Sequence, residues 1–471
     1  MIFGTDKRTL INFSNFKMFV HAIIPSCVLL AAILTLNSDY LVDHAQILNP
    51  DAKHYWLMGE NIFRHGAFSR SASPPYIPDP LRTPIYPMFV GFVRLFFDVP
   101  ATVYMAQVVI FCCCVVIMFQ MLNLLWDKSV VMPVITCFIM IMNITFIGSN
   151  FTVMSETLHN LFMLLSFYFF VLILKNGEFR MRDWFLSFSM LGLATLTRPA
   201  AQFVVFFYAI LLFFALANIN LQKSIKFILF GIMSYILVLS PWLIRNQLHF
   251  GVPKLCFIGS NSLTYFIGAG IYQLKYRIEM KEAWAQISKD YEIKTYAEVA
   301  NLHGSPVSKR EYKDIYRRLD KVGMDIIKNN KRLFLISSFM AIFKSHISHM
   351  TELIAAQLNM EWHGLNKDAI LHKRYLDLFR TSKGDNAVIL IMLFIYQMAY
   401  MIFCAMLFML GIKYIMYNRK IKLALKLAVL GLPAYYCLMI AMAGVDAYWR
   451  FRIPAGLLQV FMKLTSLITI G

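Results

Sequence analysis

The sequence predicts an all-α polytopic membrane protein, and three observations carry that prediction. Of its 471 residues 59% are hydrophobic, and the mean hydropathy is +0.60, more apolar surface than one soluble core hides. The apolar residues run continuously rather than alternating, which excludes a β-barrel. Many of the runs approach the about 20 residues that one bilayer crossing needs.

Taken in order, the runs predict spans near 18–36, 101–125, 130–148, 154–174, 183–197, 200–217, 224–244, 387–415, 422–443 and 453–470. Lys7, Arg8 and Lys17 precede the first run, so it reads as a signal anchor with its N-terminus in the cytoplasm. The stretch from Trp184 to Ala217 is too long for one crossing. Arg198-Pro199 divides it, because proline disfavours helix at the residue before it and arginine is costly at the bilayer centre. Residues 84–98 are short for a span, and crossing, dipping in or lying on the surface all stay open. Residues 333–348 read as an amphipathic surface helix, with a crossing as the alternative.

Charge adds a sidedness. The clusters Lys175/Arg180/Arg182, Lys223/Lys226 and Arg419/Lys420/Lys422 belong inside by the positive-inside rule. The first loop, Glu156, Arg198, the loop 245–386 and Asp446 to Arg452 then lie outside. The net charge of +19 implies anionic head groups or phosphates as partners, and no nucleic acid. The eight cysteines form no CxxC pair and read as small packing residues.

The polar first loop is where chemistry is expected. Asn49-Pro50 opens a helix on which Asp51, His54 and Tyr55 share a face, three and four residues apart. Glu60 points away. An acid there can take a proton from an incoming hydroxyl or amine, a role typically worth about 10²–10⁴-fold. The competing account is a carboxylate that stabilises the helix start. Asp79, between Pro78 and Pro80, is a second acid held on rigid, extended backbone. Arg82, Arg198, Arg245, Arg450 and Arg452 mark outer span ends, and guanidinium forks suit phosphate. Glu156 sits at the outer start of a span, where an ionisable side chain is a functional candidate. Tyr55, Tyr76 and Trp242 can stack on a pyranose. His44, His54 and His65 are too scattered for a metal site, and no cofactor is expected.

These pieces, in this order, resemble the GT-C glycosyltransferases that use polyprenyl-phosphate sugars, above all the protein-mannosyltransferase and aminoarabinose-transferase-like family. The motifs are Asp51-Ala52-x-x-Tyr55, Gly66-Ala67-Phe68-Ser69, Arg82-Thr83-Pro84-Ile85-Tyr86-Pro87, Ser155-Glu156-Thr157-Leu158, Leu196-Thr197-Arg198-Pro199, Pro241-Trp242-Leu243-Ile244-Arg245-Asn246 and Arg450-Phe451-Arg452-Ile453-Pro454. Ile85 stands where the family commonly has glycine. The resemblance implies a GT-C fold of about 10–12 transmembrane helices, with outer-face juxtamembrane helices in the first loop. It implies a membrane module over 1–250 with a catalytic loop at 37–100, an outer region over 251–386, and C-terminal membrane helices over 387–471.

The implied activity is transfer of a sugar from a polyprenyl-phosphate donor to a lipid- or glycan-linked acceptor, by a single inverting displacement. The site would face the periplasm of a bacterial inner membrane, within the cell envelope. Asp51 and Asp79 would be catalytic, the family's base role mapping best onto Asp51. Tyr55, Arg82, Tyr86, Glu156, Arg198, Arg245, Arg450 and Arg452 would bind substrate. The rival readings are a flippase or transporter of lipid-linked saccharides, and an O-antigen ligase or polymerase.

Overall fold

The computed structural model describes residues 50–125, 148–176, 179–216, 219–302 and 307–347, with a few single positions between 395 and 435. The spans expected at 18–36 and 453–470, and most of those at 130–148, 387–415 and 422–443, fall outside these residues. The described chain is helical, and its only strand-like pairing is one antiparallel bridge, Ser69 with Pro78. It is a polytopic α-helical membrane protein. Four of its described helical segments are long and apolar enough to cross a bilayer.

Helix α1, Pro50–His65, starts where Asn49-Pro50 predicts it, with Asp51 in its first turn and Arg64 and His65 in its last. Both charge placements favour the helix dipole. Gly66 follows at φ +62°, the left-handed conformation that lets a chain turn away from a helix end. Helix α2, Ile85–Arg94, has 10 residues. At about 1.5 Å per residue it is too short to cross alone. It packs instead on α1, with Tyr55, Trp56, Tyr86, Val90 and Val93 in a shared buried cluster. The two backbones touch at Gly59 and Gly91, where a Cβ on Gly91 would lie 2.4 Å from the Gly59 carbonyl oxygen.

The membrane bundle follows. Helix α3 spans Pro100–Leu125, α4 Glu156–Asn176 and α5 Met181–Thr197. A short 3₁₀ turn at Pro199–Ala201 leads to α6, Val204–Leu216, and then to α7, Leu221–Phe250. The break between α5 and α6 falls at Arg198-Pro199 as the sequence predicts.

Antiparallel order can be read from three contacts between α4 and α5. Glu156 meets Arg198 at one end, and His159 Nδ1 lies 3.0 Å from the Ala194 carbonyl. Near the middle, Ser166 and Ser187 each donate to the other's carbonyl, at 2.8 and 3.1 Å. Lys175 reaches the Leu124 carbonyl at the other end. The starts of α4 and α6 and the ends of α5 and α7 therefore gather on one side. Lys175, Arg180, Arg182, Lys223 and Lys226 gather on the opposite side.

Helix α7 has 30 residues, about 45 Å of length against a hydrocarbon core of about 30 Å. It therefore projects beyond the end at residue 244 that hydropathy predicts. Pro241 lies inside it, and Ser240 Oγ donates to the Leu237 carbonyl at 2.9 Å just before. Proline is tolerated in such helices when neighbouring groups answer the freed backbone.

Past Gly251 the chain builds a second helical unit with α8 Ile258–Asn261, a π-helical segment Ser262–Gly268, α9 Ala269–Tyr276, α10 Met280–Asp290, α11 Tyr296–Asn301 and α12 Lys309–Asn329. Its cores join Phe250, Phe257, Tyr265, Tyr312, Tyr316 and Leu319 in one cluster, and Ile267, Ile271, Ile287, Val322 and Ile326 in another. The unit docks on the first loop, where Phe257 N–H donates to the Pro80 carbonyl at 3.1 Å. Helix α13, Lys331–Ile347, follows directly. Its Ala341 joins the apolar cluster of the membrane bundle. This helix packs chiefly on α9, α12 and the π-helical segment of the second unit, and meets the bundle's apolar cluster at Ala341.

The Gly59–Gly91 contact yields a prediction. Gly91→Ala forces a methyl into backbone and should cost about 1–3 kcal/mol, read as a lowered Tm in detergent. Gly259→Ala, with nothing within 4 Å of its added Cβ, should leave Tm nearly unchanged.

Candidate active site

The site grows from the loop between α1 and α2. Asn61 Nδ2 donates to the Ser69 and Ser71 carbonyls, both at 2.9 Å, and Asp79 N–H donates to the Phe68 carbonyl at 2.9 Å. With the Ser69–Pro78 bridge, this sets Arg70 beside Asp79. Asp79 is buried, its side chain 1% exposed. One carboxylate oxygen takes Arg70 Nε. The other accepts the amides of Leu81 and Arg82 at 2.8 and 2.9 Å. Its backbone carbonyl accepts Arg245 Nη1 at 3.0 Å. Asp79 therefore turns inward, and it organises the loop rather than presenting a free acid.

Asp51 is the more open acid, its side chain 23% exposed, and it pairs with Arg82. The Arg82 guanidinium lies 5.1 Å from the centre of the Tyr55 ring. Burial works against its charge, but Tyr55, Asp51 and Asp79 outweigh burial and hold its pKa above the ordinary value. Tyr55 meets Tyr86 edge to face at 4.8 Å. Tyr86, expected to bind substrate, is fully buried. Its hydroxyl donates to Gln107 at 2.7 Å, and Gln107 donates to the Asn150 and Thr152 carbonyls at 2.9 and 2.7 Å. Tyr86 therefore holds helices together, with no exposed face to offer a substrate.

Two more arginines arrive on membrane helices. Arg198 pairs with the buried Glu156 at 2.5 Å. Thr83 Oγ1 donates to the Thr197 carbonyl at 3.0 Å, which pins the loop to the same end of α5. Arg245 sits among aromatic rings, 5.1 Å from Phe68, 4.7 Å from Trp242 and 5.1 Å from Phe250. Trp242 is itself buried and edge-on to Phe68, and Tyr76 stacks on His65 at 4.6 Å. Arg450 and Arg452 lie outside the described residues.

His54 occupies the same face of α1. Its Nδ1 is buried and has no hydrogen-bond partner. Burial first, then Arg70 and Arg82, lower its pKa to about 4, with Asp51 and Asp79 opposing. The imidazole is therefore neutral at pH 7. Among the described residues no group of three or more His, Cys, Asp or Glu side chains is placed to hold a metal.

Comparison with known proteins is sparse. No family model matches, and no curated protein matches. Two solved structures do, both crystal structures of ArnT from Cupriavidus metallidurans, one in the apo state and one bound to undecaprenyl phosphate. Each is 10% identical and covers 96% of this chain and 78% of that chain, with TM-scores of 0.41 and 0.42. A likeness this distant adds no weight to any assignment of residues.

Two residues at this site escaped sequence reasoning. Arg70 carries no motif, and only the Ser69–Pro78 bridge brings it to Asp79. Tyr296 comes from the second helical unit, where it packs with Leu81 in one cluster. Its pKa is raised by burial and then by Asp51, so its ring stands near the acid–arginine cluster. The sequence separation of more than two hundred residues hides it.

Two outcomes are expected. Asp79→Asn leaves Arg70 without its counter-charge in a buried site and should destabilise by about 3 kcal/mol. Arg70→Gln in the same chain should recover part of that loss, as coupled unfolding measurements will read. For His54 the folded pKa is depressed, so the unfolded chain binds the extra proton. Stability should fall as pH drops from about 6.5 towards about 4, and His54→Asn should flatten that part of the pH profile.

Proposed function

We propose that this protein is a membrane glycosyltransferase, moving a sugar from a polyprenyl-phosphate donor to an acceptor at the side of the membrane where the acid–arginine cluster lies. The observation that carries the reading is the cluster itself. Asp51 is a solvent-reaching carboxylate, and four guanidinium groups, Arg70, Arg82, Arg198 and Arg245, stand at the ends of membrane helices and in the loop above them. Against Asp51, Asp79 and Glu156 they leave an excess of positive charge among these seven residues. That excess suits an anionic lipid head group whose tail stays in the bilayer. The order of the sequence motifs supports a GT-C enzyme.

In the proposed reaction the acceptor oxygen or nitrogen attacks the anomeric carbon as the bond to the phosphate oxygen breaks, with inversion. Asp51 takes the acceptor's proton. The polyprenyl phosphate leaves with an added negative charge, which preorganised guanidinium groups stabilise where it develops. Arg82 is the nearest candidate, with Arg198 and Arg245 behind it and Arg450 and Arg452 proposed alongside. Asp79 acts through Arg70 and the loop amides. Tyr296 and the docked unit cover the sugar. The basic ends Lys175, Arg180, Arg182, Lys223 and Lys226 favour the opposite side as cytoplasmic, which supports a periplasmic site in a bacterial inner membrane.

The test is transfer from a polyprenyl-phosphate sugar by the full chain in vesicles. Asp51→Asn should lower turnover about 10²–10⁴-fold while donor binding persists. Wild-type turnover in that variant would remove Asp51 as the base. Net lipid translocation without product would remove the transferase reading.

A further inference from the structure

Helix α13 has two unlike faces. Ser337 and Ala341 are 1% and 0% exposed, and Ala341 belongs to the cluster built by the membrane helices α3 to α7. On the other face Leu335 and Phe339 are 67% and 70% exposed, and Ile336 and Met340 stand beside them, also exposed. Arg332, Leu335, Ile336, Phe339 and Met340 follow the spacing of one helical face. A stripe of large apolar side chains on a helix that touches the bundle cluster at Ala341 suits contact with lipid.

Three cations stand at the top of that stripe. Lys328, Lys331 and Arg332 are exposed, and no acid occurs between residues 326 and 347. Of the acids upstream, the half-buried Asp325 acts on Tyr291, Asp320 pairs with Lys254 at 2.5 Å and Glu311 with Lys294 at 3.3 Å. Among the described residues none of the three cations has an acidic partner. Arg332 precedes Phe339 by seven residues, about 10 Å along the helix. Head groups extend the bilayer about 5–8 Å beyond each side of its hydrocarbon core. The cations therefore meet the lipid at the depth of its phosphates.

We propose that Lys328, Lys331 and Arg332 form a binding site for the head-group phosphate of an anionic phospholipid, where α13 enters the bilayer. Arg332 supplies a planar fork for two phosphate oxygens, and the lysines supply point charges. The site anchors the second helical unit above the acid–arginine cluster. A soluble polyanion fits less well, because these cations continue a lipid-facing stripe.

The experiment uses the full chain in nanodiscs of phosphatidylcholine, with phosphatidylglycerol replacing part of it. Lipids retained by the protein are quantified for wild type and for K328Q/K331Q/R332Q. Each cation removed should lower the preference for phosphatidylglycerol about fivefold at low salt, and added salt should weaken the wild-type preference. That salt response still tests the site should the triple variant fold poorly. In parallel, F339C should resist a water-soluble maleimide that labels R310C readily. A phosphatidylglycerol preference unchanged by the triple substitution or by salt overturns the proposal. So does labelling of F339C at the rate of R310C. So does a variant that keeps its lipid preference but loses binding to an acidic glycan. None of these readouts requires sugar transfer, so the outcome stands apart from that of the proposed activity.

Discussion

A carboxylate buried beside a membrane must have its lone pairs answered, or it costs several kcal/mol. Asp79 meets that demand with Arg70 on one oxygen and two backbone amides on the other. The consequences spread outward. The amide of Arg82 is one of those donors, so the direction in which Arg82 leaves the loop is set by Asp79. Arg82 in turn holds Asp51. The Asp79 carbonyl fixes the tip of Arg245, which ties the loop to the end of α7. Without Asp79 in place, neither the half-buried Asp51 nor the arginine from the membrane helix has a defined position.

Lipid sorts the remaining charges. The middle of the α4–α5 contact uses hydroxyls, which Ser166 and Ser187 satisfy on each other's carbonyls. Charged groups sit at the helix ends, and the two ends differ. At one, acids and arginines pair in buried or half-buried positions, as Glu156 does with Arg198. At the other, Arg180, Arg182, Lys223 and Lys226 are exposed, although Arg182 also pairs with the buried Asp183 at 3.0 Å. Paired burial is expensive to build and gives geometric definition. Exposed lysine and arginine give only orientation in the membrane. That asymmetry distinguishes a chemical face from a topological one.

What the sequence reveals follows from how local each signal is. Pro50 at a helix start, the Arg198-Pro199 break and the apolar runs of α3, α4 and α6 all act within a turn or two of backbone, and each reappears in the fold. The Glu60 direction is equally local: it pairs with Arg64 and Arg94, away from Asp51. Hydropathy ends α7 too early, at residue 244, because a helix can project beyond the hydrocarbon and its polar last turns carry no apolar signal. Asp79 misleads because rigid flanking prolines say nothing about which way the side chain turns. Arg70 and Tyr296 are set by pairing across a loop and between two folded units, which no local pattern records.

The difference between Asp51 and Asp79 bears on how the proposed reaction would be ordered. Asp79 has both oxygens engaged and almost no exposure, so protonating it would break the loop. Asp51 reaches solvent, and Arg82 occupies one of its oxygens. A donor phosphate that draws Arg82 towards itself would loosen that pair and free that Asp51 oxygen for the acceptor's proton. The neutral His54 beside them adds no competing positive charge to hold the carboxylate. Donor arrival would then switch on the base, and an acceptor bound alone would meet a carboxylate still occupied by its arginine.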